Sequence, residues 1–102
     1  MKDKKRRVVV VGIDGASWDI INTGISMGLL PTFRYLTKNS IYGVLKSVLP
    51  PISPSAWNAI YTGAFPNKTG IFNFFEFDKT SYSYKPISCK NRRVPTIFSL
   101  LS

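Results

Sequence analysis

Apolar residues in this chain fall into two kinds of run, continuous and helically spaced. The first continuous run is Val8-Val9-Val10-Val11-Gly12-Ile13. Side chains branched at Cβ suit a pleated sheet. A run that does not alternate predicts a strand covered on both faces, as in a parallel α/β sheet. From Ser17 to Gly28 the spacing turns helical, with Trp18, Ile21 and Ile25 on one stripe, Ile20 beside them and Gly28 as the stop. Gly24 weakens that helix. A second short helix opens at Leu30-Pro31, carries Phe33 and Leu36 on its apolar stripe, and ends at Asn39-Ser40.

Further along, Ile41 to Leu49 reads as a strand stopped by Pro50-Pro51. Ser53-Pro54 starts a third helix, with Trp57, Ile60 and Tyr61 on one face and Thr62-Gly63 at its end. Pro66 to Gly70 is a turn. Ile71 to Asp78 and Tyr82 to Ile87 predict an aromatic hairpin about Lys79-Thr80-Ser81, and a last helix opens near Pro95.

Composition narrows the picture. A chain of 102 residues holds one small domain with a modest core. It is 44% hydrophobic, which is not a disordered composition. Lys and Arg number 14 against 5 Asp and Glu, a net charge of +9. Lys2, Lys4, Lys5, Arg6 and Arg7 form a basic tail over 1–7, and Lys90, Arg92 and Arg93 form a second group. A basic excess attracts polyanions, yet no nucleic-acid module signature is present. A solvated tail is the favoured reading. The one cysteine, Cys89, excludes an intrachain disulfide and fits a reducing compartment, so a cytoplasmic location is expected. With no histidine in the chain, imidazole general bases and imidazole metal ligands are excluded. No segment approaches membrane-spanning length.

Two places carry candidate chemistry. Asp14 follows the first predicted strand beside Gly15. The carboxyl end of a strand in an open α/β sheet is where ligands collect. Its position supports a metal ligand and equally a turn or helix cap. The second place is Pro50-Pro51-Ile52-Ser53-Pro54-Ser55-Ala56-Trp57. A hydroxyl at a helix start feels the partial positive charge of the exposed amides, which stabilises an alkoxide and receives phosphate. Ser53 is therefore a candidate nucleophile, or else a plain N-cap with Pro54 in the first helical position.

The order VVVVGIDG (8–15), Trp18-Asp19, Leu30-Pro31-Thr32-Phe33, PPISPSAW (50–57) and Thr62 to Phe72 resembles the N-terminal part of the type I phosphodiesterase/nucleotide pyrophosphatase family, within the alkaline phosphatase superfamily. The resemblance runs from about Val8 to Leu101. It implies an alkaline-phosphatase-like α/β sandwich with a mainly parallel sheet. It also implies a hydrolase of phosphoesters that uses divalent metal ions, commonly two zinc ions, with manganese or magnesium as alternatives. Asp14 matches a metal-holding aspartate. Ser53 matches the Ser or Thr nucleophile, which also touches the metal, with Ser55 in reserve. Attack with inversion at phosphorus then forms a covalent phospho-enzyme that water releases.

The chain departs from the family pattern at several points. Thr69 stands where a histidine is often found before the Gly-Ile pair. Asn73 stands where an acidic residue is frequent, and the active-site asparagine of some members falls near Asn73 or Phe74, which makes Asn73 a candidate substrate contact. The family's remaining Asp and His ligands lie far downstream. Residues 8–102 are therefore expected to be an incomplete, C-terminally truncated N-terminal part, catalytically inactive alone because a catalytic zinc site draws on about three protein ligands. The expected partners are a phosphoester substrate and the missing C-terminal portion. Two other readings stand beside this one. One is a small basic nucleic-acid-binding module using Phe72, Phe74, Phe75, Tyr82 and Tyr84. The other is a subunit that completes a split enzyme.

Overall fold

The structure, a computed structural model, describes residues 6–102. Lys2, Lys4 and Lys5 of the basic tail lie outside the described residues, and Arg6 and Arg7 are exposed. The chain divides into two compact units, Met1–Val44 and Leu45–Ser102. Together the described residues form five α-helices and one two-stranded antiparallel sheet, an α/β composition.

The first unit is a helix pair, α1 (Trp18–Ser26) and α2 (Pro31–Asn39). Ser17 is the N-cap of α1, and Pro31 opens α2. Both starts match the sequence pattern. Ile21 is the buried aliphatic side chain here among the described residues. Gly24, a weak helix former, sits where a Cβ would come within 2.6 Å of Leu30 Cδ1. Its missing side chain is what lets the connection between the helices close against α1. Trp18 donates from Nε1 to Gly43 O at 3.1 Å, and its ring meets Tyr42 at 5.1 Å.

The second unit starts with α3 (Ser53–Thr62), followed by the single turn α4 (Pro66–Thr69). A hairpin, β1 (Phe75–Asp78) with β2 (Ser83–Pro86), comes next. Its register pairs Glu76 with Lys85 and Phe77 with Tyr84. A 3-10 turn at Cys89–Asn91 and α5 (Ile97–Leu101) complete it. Ile71, only 1% exposed, is the buried aliphatic centre. Thr69 beside it is fully buried and satisfied, since its Oγ1 accepts from Ile71 N at 3.2 Å and its carbonyl accepts from Arg93 N at 2.9 Å. Tyr61 joins α3 to α5 by packing on Phe98 with ring centres 5.5 Å apart.

The hairpin turn is organised by one carboxylate. Asp78 accepts from Thr80 N at 2.8 Å and from Ser81 Oγ at 2.9 Å, and pairs with Lys85 across the strands. Lys85 first, then the two hydrogen bonds, hold this carboxyl well below the usual carboxylate range.

Two predicted strands differ from expectation. Val8 to Ile13 and Ile41 to Leu49 form no ladder, and the sheet seen among the described residues is the antiparallel hairpin, not a parallel one. Val8 to Val11 are 76–86% exposed. The reason is physical. A helix closes its hydrogen bonds within one segment, whereas a strand needs a neighbour at ladder distance, and no described segment pairs with either run. Smaller corrections concern the segment 66–70, where the predicted turn is one turn of helix, and the last helix, which begins at Ile97 with Thr96 as its cap.

Candidate functional site

The site is built around the start of α3. Three prolines, Pro50, Pro51 and Pro54, fix φ along the approach and remove backbone donors. The chain turns at Pro50, where Ile52 N donates to Pro50 O at 3.0 Å. Ile52 is the N-cap in an extended conformation (φ −119°, ψ 154°). The helix starts at Ser53-Pro54 as the sequence predicts, one residue earlier than the N-cap reading of Ser53 would have it. Ser53 is the first helical residue and not the cap, and Pro54 is the second. Ile52 offers no side-chain acceptor, so the first amides of α3 receive no cap from it. Ser53 is half-buried, on the helix turn where those amides concentrate positive potential.

Ser55 stands differently. It is fully buried, and its Oγ donates to Pro50 O at 2.8 Å and Ile52 O at 3.1 Å. Its single proton is shared between two backbone carbonyls, and no face of the side chain meets solvent. Asn73 is exposed and turns its Oδ1 to Phe74 N at 2.8 Å, a local bond.

Asp14 belongs to the first unit, while Ser53, Ser55 and Asn73 belong to the second. Asp14 is exposed in a turn with Gly15, whose φ is +70°. Ser17 N donates to Gly15 O at 3.0 Å. Since Ser17 occupies the N-cap of α1, Asp14 is not the N-cap residue.

Sequence reasoning missed the polar brace behind α3. Asn58 donates from Nδ2 to Pro54 O at 2.8 Å and accepts at Oδ1 from Arg92 Nη1 at 3.5 Å. Arg92 also donates from Nε to Val94 O at 3.2 Å. In the sequence, Arg92 is one of a group of basic residues, and only the return of the chain past α3 gives it this task. A hollow of about 520 Å³ at the hairpin, lined by Glu76, Asp78, Lys85 and Asn91, contains none of the predicted site residues.

For a metal, the donor set is thin. Among the described residues, no three His, Cys, Asp or Glu side chains gather to hold an ion. An Asp14 carboxylate and a Ser53 hydroxyl give at most two ligands, short of a closed zinc site. The residues present do not by themselves fit the group. No described helix is long and apolar enough to cross a membrane. A family model described as Type I phosphodiesterase / nucleotide pyrophosphatase matches residues 8–98 of the chain. Neither the comparison with curated proteins nor that with solved structures returns a match.

Proposed function

The chain belongs to the type I phosphodiesterase/nucleotide pyrophosphatase family, and from that premise we propose that it carries the attacking part of a phosphoester hydrolase. Ser53 is the nucleophile. The observation that carries this choice is the contrast at the start of α3: Ser53 is half-buried in the first turn, whereas the Ser55 hydroxyl is fully buried and spent on two carbonyls. Ser53 Oγ attacks phosphorus, forming an O–P bond as the bond to the leaving alcohol breaks. The positive end of α3 favours the anionic phosphoryl group. Water then releases the phosphoryl group from Ser53.

The isolated chain turns over at background rate. It has no imidazole to take the Ser53 proton, and its donor set does not close a metal site. A divalent ion, zinc in the first instance, would need further Asp and His ligands from additional polypeptide beside the roles that the family reading gives Asp14 and Ser53. The exposed Val8 to Val11 run supports that view, since an apolar run of this kind suits a strand covered on both faces. Asn73 remains a candidate substrate contact. The exposed free thiol of Cys89 supports a reducing, cytoplasmic setting.

The test is hydrolysis of a p-nitrophenyl phosphodiester with added zinc or manganese. The expected result is background turnover by the chain alone. Metal-dependent turnover is expected once the downstream portion of a full-length family hydrolase is supplied, and Ser53→Ala abolishes it. Substantial turnover by the chain alone contradicts the requirement for further ligands. Full activity of Ser53→Ala in the completed enzyme contradicts the choice of nucleophile.

A further inference from the structure

We propose that Ser55 is a positioning residue for Ser53: its buried hydroxyl ties the turn at Pro50 to the first turn of α3 and so fixes where the Ser53 hydroxyl stands. The functional meaning of this tie rests on the reading of Ser53 as nucleophile.

The geometry is a small closed network. Pro50 O accepts from Ile52 N at 3.0 Å and from Ser55 Oγ at 2.8 Å. Ile52 O accepts from Ala56 N at 3.0 Å and from Ser55 Oγ at 3.1 Å. One hydroxyl therefore bridges the turn before the helix and the first hydrogen bond within it. The bridge matters because the prolines at 50, 51 and 54 leave this segment few backbone donors. A side chain supplies the link that an amide would otherwise make.

The tie acts directly on Ser53. The Ile52 carbonyl belongs to the same rigid peptide plane as the Ser53 N–H. Anchoring that oxygen fixes the orientation of the plane next to Ser53, from which the helical φ of Ser53 then sets the direction of its Cα–Cβ bond. The Ser55 side chain is 0% exposed, so its hydroxyl has no competing water and the bridge is not in exchange with solvent. Reacting groups need this kind of restraint, since a misplacement of about 1 Å costs on the order of 10²-fold in rate. The sequence offers Ser55 as a reserve for Ser53; the network gives Ser55 a task of its own.

The test uses a thiol reporter in the full chain. Ser53→Cys is combined with Cys89→Ala, which removes the exposed native thiol. Alkylation by iodoacetamide is then followed against pH, with helical circular dichroism and Tm recorded for every variant. With Ser55 intact, the reporter thiol titrates below the ordinary value of about 8.5, as expected at a helix start. Adding Ser55→Ala moves its titration upward by about 0.2–0.7 pH units, the size of a helix-terminus interaction. A merely structural Ser55 lowers Tm and leaves that profile in place. Should Ser55→Ala lose its helical signal, Ser55→Thr and Ser55→Val decide the matter, because they share a shape and differ in the hydroxyl. The Thr variant keeps the profile and the Val variant shifts it.

One titration curve for all variants overturns the positioning role and leaves the choice of Ser53 as nucleophile standing. A shifted curve together with undiminished turnover by Ser53→Ala in the completed enzyme overturns the nucleophile and leaves the tie standing.

Discussion

The Val8 to Gly15 segment and the Pro50 to Ser55 segment are the two places where the sequence announces chemistry, and they end differently. The first keeps Val8 to Val11 at 76–86% exposure, with no ladder partner among the described residues. The second is closed by four hydrogen bonds at two carbonyls, all from within its own few residues. The contrast shows what each needs. A helix start satisfies its polar groups locally, with side chains in place of missing amides. A strand meant to be covered on both faces satisfies nothing locally and depends on neighbours. A short chain can therefore hold a helix start in order while an apolar run stays exposed.

Substitutions can break or sharpen that contrast. The largest expected effect is Ile71→Ala, which empties the buried centre of the second unit and lowers its stability by about 2–4 kcal/mol in denaturant unfolding. A loss below about 1 kcal/mol would mean that this unit owes little to its core. Gly70→Ala comes next. Gly70 has φ +77°, and a Cβ there meets Arg93 Nε at 2.9 Å, so a loss of about 1–2 kcal/mol is expected from the same measurement. An Arg93→Ala background relieves the steric part and leaves the backbone part.

A smaller effect stays within the hairpin. The Asp78 carboxyl is depressed in the folded state, chiefly by Lys85. Its contribution is therefore fully present above the unfolded carboxylate value of about 3.9 and fades as pH falls from there toward the depressed one. Cross-strand proton contacts between Phe77 and Tyr84, followed by NMR, should weaken only in that acid range. Asp78→Asn should remove the pH dependence, and loss of the contacts near neutral pH would contradict it. The smallest effect belongs to the exposed run: Val10→Ala changes the stability of the isolated chain by no more than about 0.5 kcal/mol. If further polypeptide covers this run, as proposed, the same change costs on the order of 1–3 kcal/mol there. Equal effects in both settings would remove the reason to see this run as a covered strand.

Much was legible in the sequence. The spacing of Trp18, Ile21 and Ile25, the prolines at 31 and 54, and the two aromatic segments flanking Lys79 to Ser81 predicted the first three helices and the hairpin, because each depends on residues close in the chain. The paired signatures at Asp14 and Ser53 carried the family resemblance for the same reason: they are local strings of residues. Tertiary structure alone decided the rest. It set how deeply Ser55 and Ser53 are buried, brought Arg92 to Asn58 across 34 positions, and left four valines without a ladder neighbour among the described residues. Burial and pairing are properties of what lies across space, and no run of adjacent residues encodes the distance to a partner that the chain must fold, or find, to meet.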